Sequence, residues 1–115
     1  MPGRSNLEML RGTLDLLILK AVSRGPRHGY DIARWIEAAA DDVLSVEEGT
    51  LYPALHRLEA RGALAATWGA SEANRRAKFY AITPAGRAEL RTEQRNWVRF
   101  ARAVFAALDV PALGT

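Results

Sequence analysis

Residues 49–62 read Gly49-Thr50-Leu51-Tyr52-Pro53-Ala54-Leu55-His56-Arg57-Leu58-Glu59-Ala60-Arg61-Gly62. Leu51, Leu55 and Leu58 recur at helical spacing, which predicts a helix from about Gly49 or Thr50 to Arg61. Gly62 is its stop, because glycine accepts the left-handed backbone that ends many helices. With Thr50 as the cap, Pro53 falls in the first turn, where the N–H it lacks had no helical partner. Ser45 and Glu48 offer another cap. Thr50, Pro53, Arg57 and Arg61 face away from the leucine stripe, with His56 close by. The stretch is thus a short helix, apolar on one side and furnished with hydrogen-bond donors on the other.

Upstream, the pattern predicts two more helices. The first runs from Leu7 to about Arg24, opened by a Ser5/Glu8 capping box and closed by Gly25-Pro26. Leu7, Leu10, Leu14, Leu17, Ile18 and Ala21 form its stripe, and Leu16 and Leu19 widen the apolar surface around the cylinder. A helix apolar on more than one side needs cover on more than one side, and in so short a chain a second subunit can supply it. The second helix runs from about His28 to Ala40, with Tyr30, Ala33, Ile36 and Ala40 inward and Ile32 and Trp35 beside them. Asp41-Asp42 break it.

Downstream of Gly62 the period changes. Leu64–Trp68 and Ala77–Ile82 read as two short strands, joined through a loose polar tip at 69–76 into an antiparallel hairpin. Thr83 and Pro84 are the cap and first residue of a last helix that reaches about Leu108. Leu90, Gln94, Trp97, Ala101, Val104 and Leu108 alternate at steps of four and three, a coiled-coil seam of nearly three heptads. A seam that short needs further packing.

Composition removes several classes of function. The 115 residues fit one domain of ordinary globular composition. Cysteine is absent, which excludes disulfides, thiolate metal sites and a cysteine nucleophile. The two histidines, His28 and His56, lack the converging carboxylates of a metal site, so no cofactor is expected. No Ser/His/Asp set, glycine-rich phosphate loop or acid/base carboxylate pair has credible spacing, which argues against an enzyme. The first 25 residues lack a signal-peptide pattern, and no apolar run approaches the ~20 residues of a membrane span, so a cytoplasmic protein is expected.

The net charge of +3 is polarised along the chain. From Arg75 onward there are eight basic and three acidic residues, whereas Tyr30 to Glu48 holds six acidic residues and one basic. A polyanionic partner fits the basic half.

Three helices, a two-stranded hairpin and a long helix follow in that order. This is the layout of a mainly α winged helix-turn-helix, with residues 1–83 as the DNA-binding domain and 84–115 as a C-terminal dimerisation helix and tail, one structural unit. In that layout the third helix enters the major groove and the hairpin tip reaches the neighbouring backbone or minor groove. His56, Arg57 and Arg61 supply donors on the helix, and Arg75, Arg76 and Lys78 supply charge on the wing. The bland reading of one charged helix face is a solvated surface. Two basic sites at the two places where this architecture meets DNA favour contact. A winged helix that binds only protein is the alternative, and steep salt dependence of duplex binding separates the two.

The sequence resembles the PadR family of bacterial transcriptional regulators. Residues 10–19 (LRGTLDLLIL) look like that family's opening helix, and 28–32 (HGYDI) like the start of its second. Residues 49–59 match its most characteristic block, and 76–87 (RAKFYAITPAGR) resemble its wing and final-helix start. The single C-terminal helix looks like the short subgroup. Glu47-Glu48 departs from the pattern, because those carboxylates suit a helix N-terminus but repel a nearby phosphate. The resemblance implies a homodimer that pairs through its first and last helices, binds a pseudo-palindromic operator and represses until a small molecule or other signal intervenes.

Individual residues carry paired readings. Tyr52 either stacks under the second helix or donates its hydroxyl to a phosphate. Thr50 is a cap with a phosphate bond as an addition. His56 reads as groove-facing, His28 as structural and Tyr30 as core. The expected dimer contacts are Leu10, Leu14, Leu17, Leu90, Val104 and Leu108. Trp97 is either seam packing or, as in some relatives, the wall of a pore between subunits that stacks a flat aromatic effector. Gln94, Phe100 and Ala101 complete that candidate pocket. Arg87, Arg91, Arg95 and Arg99 form either a solvated stripe or an electrostatic guide towards DNA.

Overall fold

The structure, a computed structural model, describes residues 11–111. The Ser5/Glu8 cap, the first turn of the opening helix and Leu10 as a dimer contact lie outside that range. The elements are α1 (Arg11–Ala21), β1 (Arg27–His28), α2 (Gly29–Ala39), α3 (Glu48–Ala60), β2 (Leu64–Ala70), β3 (Arg76–Ile82) and α4 (Pro84–Leu108). The strands form one antiparallel sheet in the order β1-β3-β2. This is the expected winged helix-turn-helix, with a third strand added.

β1 is too short to show a hydrophobic period, so pattern alone does not reveal it. It pairs Arg27 with Tyr80 and His28 with Phe79. His28 then becomes the N-cap of α2, its Nδ1 accepting from the Asp31 N–H at 3.2 Å. That is the structural role expected of it. α2 buries Gly29, Ile32 and Ile36. The inward stripe is therefore rotated from the expected one, and Tyr30 is 62% exposed rather than core. Its hydroxyl accepts from Arg34 Nη1 at 2.8 Å.

α3 begins earlier than a Thr50 cap would place it. The Thr50 and Leu51 N–H groups both donate to the Glu47 carbonyl, at 3.0 and 2.9 Å. Glu47 is the N-cap, and its side chain makes no capping bond. Pro53 consequently lies within the helix, not in its first turn, and α3 lacks one bond there. The C-terminus is as expected. Gly62 has φ +80°, the Ala63 N–H donates to Leu58 O at 2.9 Å and the Gly62 N–H donates to Glu59 O at 3.0 Å. This is a Schellman cap.

The wing is longer and its tip tighter than expected. Its ladder runs from Leu64 opposite Ile82 to Ala70 opposite Arg76. The remaining turn closes by Ser71 N–H to Arg75 O and Asn74 N–H to Ser71 O, both 2.8 Å, with Asn74 left-handed at φ 59°. Gly69, Ala70 and Ala77 have weak strand preference, but the register carries them.

Leu14, Ile18 and Leu19 of α1 pack with Ile32, Ile36, Leu51, Leu55, Leu58 and Tyr80 in one core. Leu14 and Leu19 are fully buried in their own chain because α1 packs against α2, α3 and α4 together. That corrects two expectations: Leu19 needs no partner subunit, and Leu14 is not available as a dimer contact. Leu17 and Leu90 are half-buried against the same core.

α4 is fixed at its start. The Gly86 N–H donates to Thr83 Oγ1 at 3.0 Å, and the Thr83 N–H donates to Ala63 O at 3.1 Å. A Cβ on Gly86 would stand 2.2 Å from that same Ala63 oxygen, so only glycine lets the helix come this close. Midway, Trp97 Nε1 donates to Thr13 Oγ1 of α1 at 2.9 Å. No helix among the described residues is long and apolar enough to cross a membrane.

Candidate nucleic-acid interface

α3 buries Leu51, Ala54, Leu55 and Leu58, which leaves Gly49, Pro53, His56 and Ala60 on the opposite, exposed side. Tyr52 sits at one edge of that side. Its ring lies on Gly29 at the start of α2, and the residue remains 37% exposed. Stacking and accessibility thus coexist in one residue. Thr50 is half-buried at the other edge.

The cations of α3 do not lie free on the exposed side. Arg57 Nη2 contacts Asp15 Oδ1 of α1 at 2.9 Å. Arg61 Nη2 reaches Asp15 Oδ2 at 3.4 Å, and its Nε donates to Glu89 Oε1 of α4 at 3.2 Å, with a second bond from Nη2 to Oε2. Those bonds raise the Arg61 pKa, the hydrogen bond with Glu89 being the largest cause. The expectation of two open guanidiniums is therefore corrected: both are turned towards α1 or α4 and paired. Lys78 is likewise paired, with Glu59 Oε1 at 3.2 Å.

On the wing, Arg75 and Arg76 are exposed. The Arg76 guanidinium carbon lies 4.4 Å from the centroid of the Trp68 ring. Such stacking fixes a long side chain without removing its charge. Trp68 is 59% exposed and was not among the sequence candidates. The register held the signal: Trp68 is opposite Lys78, and Arg76 lies two residues before Lys78 on the same face. A cleft of about 550 Å³ separates Tyr30, Tyr52 and His56 from Trp68, Arg76 and Lys78. Its walls are aromatic rings carrying donors, which suits a sugar-phosphate strand passing between helix and wing. Glu47 and Glu48 are exposed at the N-terminal corner of α3, outside this cleft.

The other candidate pocket is not assembled within one chain. Gln94 lines a groove of about 640 Å³ with Lys20, Leu90, Arg91, Arg95 and Val98, among others. Trp97 is turned to Thr13, Phe100 is 64% exposed and Ala101 is half-buried.

A helix with an open side that carries Tyr52 and His56, a paired β-ribbon and a donor-lined cleft between them define a winged-helix DNA-binding regulator. Residues 18–92 match the Transcriptional regulator PadR-like family, and the chain belongs to that family. It is 46% identical over 78 residues to the transcriptional regulator Rv3488 of Mycobacterium tuberculosis, covering 68% of this chain and 59% of that protein. A transcriptional regulator from Clostridium thermocellum is 30% identical, with a TM-score of 0.75 over 84% of this chain and 94% of its own. The PadR-like transcriptional regulator of Bacillus cereus is 27% identical, with a TM-score of 0.75 over 90% and 99%. Family and neighbours are transcriptional regulators, not enzymes.

Proposed function

We propose that the chain acts in the cytoplasm as a homodimeric repressor of a pseudo-palindromic operator. α3 enters the major groove with Pro53, His56 and Tyr52 towards DNA, and Arg75 and Arg76 hold the flanking backbone. The observation that carries the dimer is the outer half of α4. Trp97, Phe100, Val104 and Leu108 are all exposed there, with Leu108 at 65%. Four large apolar side chains on one solvated helix call for a partner surface. A second copy supplies the same stripe by symmetry.

Trp97 and Phe100 also support release by a flat aromatic effector, which their rings can stack once two subunits enclose them. The test is binding to a duplex from upstream of the chain's own gene against a random duplex, over a series of salt concentrations. A repressor of this kind prefers its operator and loses affinity steeply with salt. Salt-independent or absent duplex binding would favour the protein-binding alternative.

A further inference from the structure

The formal charges within α3 and its C-cap are Glu48, Arg57, Glu59 and Arg61, which sum to zero. The structure goes further, because it pairs both arginines with carboxylates from other elements. Asp15 gives one oxygen to each guanidinium, and Glu89 takes a double contact from Arg61. Asp15 is 13% exposed, so it is fixed in place beneath the two arginines. Two cations and two anions form a neutral cluster at the side of the recognition helix.

We infer that Asp15, assisted by Glu89, is a specificity-determining positioning residue that withholds Arg57 and Arg61 from DNA phosphates. The inference rests on α3 being the element that meets DNA. Cations near a duplex bind phosphate whatever the sequence, and each contact adds to non-specific affinity. Specificity is the difference between operator and random binding, so silencing two such cations raises it without any new base contact. The carboxylates win the competition on geometry. They are already in contact, whereas a phosphate has to displace three bonds from Arg61 or the close pair from Arg57. The same bonds join α3 to α1 and α4, so the recognition helix keeps its orientation while its charge is cancelled.

The experiment is the salt slope on random and operator duplexes for the wild-type chain, Asp15→Asn, Asp15→Glu, Arg57→Gln/Arg61→Gln and the triple variant. Asp15→Asn frees Arg57 while Glu89 still holds Arg61, so it should steepen the random-duplex slope by roughly one unit, at about 0.9 per phosphate. Its operator preference should fall. The steepening should vanish in the triple variant, and Asp15→Glu should stay near wild type. Should Asp15→Asn fold poorly, the double arginine variant decides. A random-duplex slope close to wild type supports withholding, and one flatter by nearly two units shows that the arginines touch phosphate and overturns it. An unchanged slope in folded Asp15→Asn also overturns it. Wild-type chain that prefers its operator in that case leaves the repressor reading intact, whereas wild-type chain that binds no duplex removes both.

Discussion

The Tyr52 ring lies so close to Gly29 that a Cβ on the glycine would stand 2.7 Å from the tyrosine hydroxyl and 2.9 Å from Cε1 and Cζ. The contact sets how α3 crosses the start of α2. It also decides where the hydroxyl emerges into the cleft. Gly29→Ala should turn the ring aside, costing about 1–3 kcal/mol of stability and weakening operator binding. Tyr52→Ala in the same background should recover much of that stability, because the three atoms nearest to the added methyl all belong to Tyr52. Thermal melts of the two single variants and the double variant measure the coupling, and simple additivity would disprove it.

His56 is exposed on the open side of α3, where a ring nitrogen can reach a base edge. His56→Ala should cost roughly 1–3 kcal/mol on the operator and far less on random DNA. Single-base operator variants, measured at one salt concentration, should show relaxed preference at one position per half-site. Equal losses on every duplex would make His56 a phosphate contact instead.

The wing should contribute charge without sequence information. Arg75→Ala and Arg76→Ala should each weaken operator and random duplex alike and reduce the salt slope by about one unit. Trp68→Ala should weaken binding in the same way, because Arg76 then loses the ring it stacks on. A slope that survives removal of both arginines would place the tip away from DNA.

Val104→Glu and Leu108→Glu put charge into the exposed stripe of α4. Sedimentation at micromolar concentration should change from dimer to monomer, with operator affinity falling in parallel. A wild-type monomer that still holds its operator tightly would contradict the dimer.

Burial raises the Tyr80 pKa, and the hydrogen bond with Glu59 raises that of Lys78. A raised folded-state pKa means that protons are held more tightly in the fold. Stability from these groups is therefore complete below about pH 10, their ordinary range, and is lost as pH climbs past it. Melting temperature should be flat from pH 7 to 9 and then fall. The fall should be shallower in Tyr80→Phe, and identical curves for the two proteins would refute the assignment.

What could be read from the sequence was local. Gly62 and Thr83-Pro84 mark helix ends through bonds to residues a few positions away, and both are found where expected. Tyr30 was misplaced because a short helix allows more than one phase for its apolar stripe, and burial of Gly29 and Ile32 selects another. Arg57 and Arg61 illustrate a different limit. Their place off the leucine stripe is legible, but their partners are 42, 46 and 28 residues away in the chain, so nothing nearby in the sequence signals the pairing.

Gly86 against the Ala63 carbonyl and Trp97 on Thr13 hold α4 at two points, so the stretch beyond Trp97 is the free arm of a lever. From Trp97 to Leu108 the arm runs roughly 16 Å at 1.5 Å per residue. A bend of about 10° beyond Trp97 then moves the far end by nearly 3 Å, close to the 3.4 Å step between base pairs. In the proposed dimer the far ends are where the subunits meet, so the gearing works in reverse as well. A small rearrangement at that meeting point is enough to put two recognition helices out of register with their half-sites, while each winged domain stays unchanged.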